Sequence, residues 1–383
     1  MKAVIIGAGI GGLALAVTLQ RRNVECLLHE RRPDLTSEGS GLVLHPNGLA
    51  ALDLIDPELR AEVNAAGYAL PDGTPTYILS GDGRVIRERV LEPGERPVTI
   101  RRSDLHRLLH ARAKEAWVVW GSRFVDYTEK DSSLTAHVIR TRWPADGEDS
   151  HDIQDVEADV LVGADGLHSM VRRRLLDDGA PTPMGLTSVK SIVRLDHDDP
   201  RLRGGFVLFG RGHQAFCAPI GPDALYWDVT LRSSHRALRD GADLRRGLLA
   251  RGWGWPPYVR DMIAATRRED MIVTVLRDRP GSPRWSRGAV TLVGDAAHPM
   301  SPFLGQGTNQ ALLDAVVLAG AVDTHGSDLA KAFHDYEEAR RDVAYRAMRD
   351  SRRIGFQGQT RNPLVRRLRD RAVRASPQTI TPQ

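Results

Sequence analysis

Cysteine is almost missing from this chain. Its 383 residues contain two, Cys26 and Cys217, which excludes a CxxC redox pair, a cysteine metal quartet and a disulfide framework. Cys26 falls in the apolar run 24–28, and both cysteines read as core residues rather than reactive ones. The histidines are scattered without HxH spacing, and the one HxxxH pair, His106 and His110, has no third histidine or cysteine nearby in sequence, so no metal site is expected. No apolar run approaches the roughly 18 residues needed to cross a membrane. Aromatic residues make up only 5% of the chain. Lysine is scarce against arginine throughout, a global bias and not a basic motif. Residues 340–374 do concentrate charge, with twelve Arg and three Asp giving +9 in a chain of net charge +4. Only Tyr345 and Phe356 are interleaved there, which makes no row of stacking platforms. The stretch therefore reads as a solvated helix and tail, and nucleic acid is not an expected partner.

What is present fits a globular protein of one large or two moderate domains, with 41% apolar residues. The N-terminus is basic and then apolar. However, glycines interrupt the apolar part in a recognisable pattern and no small-residue cleavage site follows, so the chain reads as mature and cytoplasmic. "KAVIIGAGIGGLALAVTLQRRNVECLLHERR" is strand, glycine turn, helix, strand. Gly7, Gly9 and Gly12 form G-x-G-x-x-G between the apolar strand Ala3–Ile6 and the apolar helix Leu13–Leu19. Gly7 permits the tight turn, Gly9 lets backbone N–H groups approach a pyrophosphate, and Gly12 lets helix and strand pack closely. The helix N-terminus then faces the phosphates. Glu30, at the end of the second strand, stands where a carboxylate grips a ribose diol. Its alternative is a plain surface glutamate. These residues specify a dinucleotide without distinguishing FAD from NAD.

Two further apolar strands end in glycine and aspartate. Val160–Val162 runs into Gly163-Ala164-Asp165-Gly166. Val290–Val293 runs into Gly294-Asp295, then a Pro-rich turn, then Gly305-Gln306-Gly307 and an apolar helix from about Thr308 to Val322. Ligands of open α/β sheets bind at the carboxyl ends of strands. Three such ends would enclose a longer ligand than one NAD fingerprint requires. Between them, Ser103 reads as the N-cap of an amphipathic helix carrying Leu105, Leu108 and Leu109. Residues 117–142 read as antiparallel strands, with Trp143–Asp152 as a polar hairpin loop. Residues 185–235 alternate as a half-exposed antiparallel sheet. A long helix is expected from Leu329 to Arg353.

The combination resembles the class A flavoprotein monooxygenases, of the para-hydroxybenzoate hydroxylase and salicylate hydroxylase type. The resemblance covers nearly the whole chain. It is carried by GAGIGG at 7–12, Glu30, GADGLHSMVR at 163–172, GDAAHP at 294–299 and PFLGQGTNQALLDA at 302–315, a set far more specific than any member alone. It implies an α/β fold, a Rossmann-like FAD-binding domain of the glutathione-reductase/para-hydroxybenzoate hydroxylase type with an inserted β-sheet substrate domain. The expected division is 1–70, 98–180 and 270–354 for the discontinuous FAD-binding domain, 71–97 and 181–269 for the substrate domain, and 355–383 for a basic C-terminal helix lying on the flavin domain.

The resemblance also implies FAD as cofactor, NAD(P)H and O2 as co-substrates, and hydroxylation of an aromatic or polycyclic small molecule through a C4a-hydroperoxyflavin. The enzyme is expected as a monomer or homodimer away from membranes. Gly7, Gly9 and Gly12 would meet the pyrophosphate, and Glu30, with Arg31 beside it, the adenosine ribose. Gly41 and Arg102 would lie along the flavin chain. Asp165 and Gly166 would serve FAD and the nicotinamide cofactor. Gly294 and Asp295 would hold ribityl hydroxyls, and Gly305, Gln306 and Gly307 would face the pyrimidine edge. Asp165 and Asp295 are alternatively turn or cap residues. On the substrate side, His45 is a candidate base for a phenol, or else a loop histidine with a backbone partner. Gln214, Phe216 and Tyr226 lie on faces of adjacent predicted strands that would roof the flavin, with Phe209 and Pro302 as further candidates. No arginine could be tied to a substrate carboxylate. A flavin-dependent reductase or oxidase of the same fold, acting on a prenyl or natural-product substrate, is the alternative.

Overall fold

The computed structural model describes residues 1–35, 40–113, 117–130, 133–141, 151–232, 244–250 and 254–375. Its centre is a five-stranded parallel sheet in the order Val290–Leu292, Val160–Gly163, Lys2–Ile6, Glu25–Glu30, Val118–Trp120. Three of these strands are nearly continuous buried apolar runs, as expected where helices or further strands cover both faces. The register matters for function. Gly163 pairs with Ile6 on one side and Leu292 on the other, so the three glycine turns leave the sheet side by side.

The helix Ile10–Gln20 is buried along almost its whole length. It packs against the helix Gly307–His325, and a Cβ on Gly11 would sit 3.3 Å from the Ala311 Cβ. The thirty-residue helix Leu329–Gly358 covers the second of these and runs five residues past its expected end. The amphipathic helix spans Arg102–Arg112 and has no side-chain cap. Ser103 therefore lies inside its first turn and is not the N-cap. The Arg102 N–H is satisfied instead by the Ser40 carbonyl, at 2.8 Å. Strands Ser122–Lys130, Ser133–Thr141 and His151–Ala158 form an antiparallel sheet. The expected hairpin loop Trp143–Asp152 lies outside the described residues, apart from His151 and Asp152 at the start of a strand.

A second, seven-stranded sheet runs in the order Ile272–Asp278, Thr182–Arg194, Ala224–Arg232, His213–Pro219, Phe206–Phe209, Pro75–Ser80, Val85–Val90. It has its own buried cluster, built around Trp227, Trp255 and Tyr258. Residues 272–278, expected in the flavin-binding segment, pair antiparallel with Thr182–Arg194 and so belong to this sheet. A small sheet of Gly41–Leu44, Val98–Arg101 and Tyr68–Ala69 lies between the two large ones in chain order.

The C-terminal helix Pro363–Ala375 packs on the edge strand Val85–Val90 of the seven-stranded sheet, not on the flavin domain. Nor are all its arginines in solvent. Arg369 is buried, donates to the carbonyls of Gln357 and Phe209, and lies 4.9 Å from the Phe209 ring centre.

Candidate active site

The first glycine turn separates packing from binding. Gly7 has a φ of +106°, and a Cβ there would lie 2.6 Å from the Ala164 carbonyl oxygen. A Cβ on Gly12 would overlap the Gly7 carbonyl. These two glycines lock the turn against its neighbour and do not line the cavity. Gly9 does the opposite: nothing lies within 4 Å of where its Cβ would be, and it opens on the cavity. No side chain caps the helix that follows, so its first-turn N–H groups remain available to an anion. Glu30 is held beside this turn, accepting from the Ala8 N–H and the Arg32 N–H, both at 2.9 Å. Arg31 is exposed at the strand end and lines no part of the cavity.

The second turn supplies Gly166, with a φ of +78° and open space around it. Asp165 is turned elsewhere. Its Oδ2 accepts from the N–H groups of Met170 and Val171, at 2.7 and 3.3 Å, which makes it a helix-terminus residue in this structure. Burial raises its carboxyl above the ordinary range, while Ser169 and the helix amides oppose that.

The third turn is clamped from behind. Asp314, fully buried, accepts from the Gly294 N–H at 2.9 Å, from Arg340 Nε at 2.9 Å and from His298 Nε2. Burial alone would push Asp314 up, but His298 and Arg340 hold it at about 2. Arg340 also donates to Gln310 Oε1. The clamp leaves Asp295 open to the cavity, with no hydrogen bond or ion pair among the described residues. Asp295 is ringed by protein atoms, but its side chain is exposed through the open cavity. Loss of bulk water raises it, and His298 and Arg102 partly offset this. Gly305 has a φ of +62°, and the helix starting at Gly307 has no side-chain cap. Gln306 is fully buried and does not line the cavity. Its Oε1 accepts from Asn47 and Gln310, at 3.0 and 3.2 Å, so its side chain braces the loop. The Asp314 clamp was missed in the sequence. The signals were there, an aspartate inside an otherwise apolar helix and the histidine of GDAAHP.

One cavity of about 610 Å³ joins these turns to the seven-stranded sheet. Gly9, Gly41, Arg102, Gly166, Gly294, Asp295, Gly305 and Gly307 line one side. His45, Gln214, Phe216, Tyr226 and Pro302 line the rest. Phe209 does not reach it and lies buried under Arg369. Gln214 faces Thr230 across the ladder, Phe216 faces Asp228, and Ala218 faces Tyr226, which puts all six on one surface. The Phe216 and Tyr226 rings meet edge to face at 5.8 Å. Burial raises the Tyr226 hydroxyl, leaving it neutral at physiological pH. A Cβ on Gly41 would strike the Tyr226 ring.

His45 does not suit a base acting near neutral pH. Burial lowers it to about 4, although a hydrogen bond to the Leu304 backbone works the other way. Four charged lining residues were not among the candidates: Arg87, Arg89, Lys190 and Asp228. Both cysteines are buried, and burial pushes the Cys26 thiol up to about 12. Among the described residues no helix is long and apolar enough to cross a membrane.

The chain is similar to known proteins. A family model described as an FAD binding domain matches residues 1–224 and 268–351. The chain is 31% identical to the Aurachin C monooxygenase/isomerase of Stigmatella aurantiaca, over 98% of this chain and 94% of that one. It is 30% identical to the 3-amino-4-hydroxybenzoate 2-monooxygenase of Streptomyces cremeus, over 92% and 86%. The solved structure of Klebsiella pneumoniae HpxO with FAD and uric acid shares the fold, with a TM-score of 0.85 at 24% identity over 98% and 93% of the chains. Relatives named as monooxygenases and hydroxylases do not favour the reductase alternative. With two uncapped helix N-termini and a free aspartate around one cavity, and this family match along most of its length, the chain belongs to the FAD-binding-domain family as a class A flavoprotein monooxygenase.

Proposed function

We propose that the enzyme hydroxylates an electron-rich aromatic or polycyclic small molecule at the face of its seven-stranded sheet, using NAD(P)H and O2. Bound FAD supplies the redox chemistry, accepting electrons from NAD(P)H and activating O2 for transfer of one oxygen atom. The protein's share is to bind, orient and exclude water. Gly9 and the free amides of the first helix receive the pyrophosphate, which Gly7 and Gly12 allow by keeping the turn tight. Glu30 reaches the adenosine ribose from beside that turn. Arg102 and Gly41 flank the flavin chain, and Asp295 accepts from ribityl hydroxyls. The uncapped helix at Gly307 directs its N–H groups toward the pyrimidine edge, where reduced flavin carries negative charge. Gly294 and Gly305 give the backbone room to approach, and Gln306 braces the loop.

On the opposite wall, Phe216, Tyr226 and Gln214 roof the ring system, with Pro302 and His45 beneath. Held neutral, His45 orients a substrate through hydrogen bonding and does not remove its proton. The enzyme works as a monomer or homodimer. The need for NAD(P)H fits a cytoplasmic location.

The observation that carries this reading is the convergence of two uncapped helix N-termini and Asp295, which has no hydrogen bond or ion pair among the described residues, on a cavity walled by the sheet. The test is purification with its flavin, followed by NADH and NADPH oxidation across an aromatic panel. A compound that speeds flavin reduction and is recovered hydroxylated is the expected result. Failure to bind flavin, or oxidation that no compound stimulates, would refute it.

A further inference from the structure

The cavity face of the seven-stranded sheet carries a row that only its register creates. Lys190 lies opposite Asp228, Asp228 opposite Phe216, Phe216 opposite Val207, Val207 opposite Ile78, and Ile78 opposite Arg87. All six line the cavity. Strands are spaced about 4.8 Å apart, so Phe216 and Arg87 are roughly 14 Å from each other. The middle of the row is apolar and its ends are charged.

The two ends differ. Lys190 faces Asp228, so that end is balanced. Asp228 also accepts from Ser188 Oγ at 2.7 Å. At the other end, Arg89 is matched by Glu95, which accepts two hydrogen bonds from it at 2.5 and 2.6 Å. Arg87 is half-buried and has no hydrogen bond or ion pair among the described residues. Glu88, its neighbour in sequence, points to the opposite face of the strand. A partly desolvated, unpaired cation is costly in a folded protein. Its cost is offset when a ligand brings the missing negative charge, and here the cation faces a cavity.

We propose that Arg87 is an anion-binding subsite for the substrate. This rests on the monooxygenase reading above. The substrate class is an elongated aromatic anion, with its reacting ring against Phe216 and Tyr226, an apolar stretch along Val207 and Ile78, and a carboxylate or similar group at Arg87. Tyr68, Leu70 and Leu91, also lining the cavity, add to the apolar wall. Arg87 is thereby a specificity-determining residue remote from the oxygen-transfer step.

The test uses the flavin-loaded enzyme and two fluorescent probes with the same ring system, anionic 1-anilinonaphthalene-8-sulfonate and neutral 1-anilinonaphthalene. Arg87→Gln should weaken the sulfonate about tenfold or more and the neutral probe less than about twofold, while Arg87→Lys keeps most of the sulfonate affinity. An unchanged flavin spectrum shows that each variant is folded. Equal losses for both probes, no loss for the sulfonate, or no binding of the sulfonate by the parent enzyme would each overturn the proposal. Failure of the monooxygenase reading is seen separately, as absent flavin or unstimulated NAD(P)H oxidation before any probe is added.

Discussion

Replacing Asp295 by Asn should weaken FAD binding and stabilise the apoprotein, two effects of opposite sign. The carboxylate has no hydrogen bond or ion pair among the described residues and faces the cavity. A hydrogen bond to a charged group contributes about 1.5–3 kcal/mol, so its loss should raise the Kd for FAD about 10- to 150-fold. The surrounding protein raises the Asp295 carboxyl in the folded state, an effect kept small by its exposure to the cavity. A folded pKa above the unfolded one means that folding opposes ionisation. This penalty is absent well below the unfolded value, near 4, grows as pH rises through the folded pKa, and is constant above it. The asparagine variant has no such penalty. Its apoprotein should therefore melt above the parent at pH 7, with the gap closing toward pH 4. The assays are fluorescence quenching on reconstitution of apoprotein with FAD, and thermal melts of both apoproteins from pH 4 to 8. An unchanged FAD affinity would remove Asp295 from the cofactor site. An apoprotein less stable than the parent at pH 7 would show that its charge is satisfied within the protein and that the burial argument is wrong.

Gly9→Ala should leave apoprotein stability within ~0.5 kcal/mol and weaken FAD at least about tenfold, since the new Cβ meets open space where phosphate is to lie. Gly12→Ala should instead destabilise the apoprotein by about 2 kcal/mol or more, because its Cβ overlaps the Gly7 carbonyl; similar melts for the two variants would contradict this division. Asp314 titrates at about 2 in the fold, below the ordinary carboxylate value, so its stabilising effect should be complete above pH 4 and lost as pH falls toward 2. Urea unfolding of the parent should follow that window, whereas Asp314→Asn, already weakened by about 3–5 kcal/mol, should lack this component. His45→Gln should leave the pH profile of kcat unchanged between about pH 6 and 8, because His45 is already neutral there; loss of an ionisation near 6.5 in the variant would restore His45 as a base.

Much of the cofactor side was legible before the fold was known. The Gly7, Gly9 and Gly12 spacing, the strand-end Glu30 and the two later glycine-aspartate turns are local patterns. Each follows a short apolar strand, and backbone geometry within about ten residues dictates where small residues must stand. The face shared by Gln214 and Phe216, and the one that carries Tyr226, followed from the two-residue period of a strand. Side-chain direction within a turn was not legible. Asp165 turned to cap a helix and Asp295 did not, although both follow a glycine-punctuated strand end, because only Gly294 is tied back to a buried aspartate twenty residues away.

Sequence alone thus determined the family, the cofactor and the local shape of each turn, since these depend on contacts between near neighbours in the chain. Tertiary structure decided what those turns surround. The match of Gly163 with both Ile6 and Leu292 brings three distant turns to one sheet edge. Pairing across six strands draws Lys190, Asp228 and Arg87 into one row, though more than a hundred residues separate the outer two. Burial made His45 neutral, and His298 with Arg340 keep Asp314 ionised against its burial. Register and desolvation both depend on what the rest of the chain places nearby, and no local pattern encodes them.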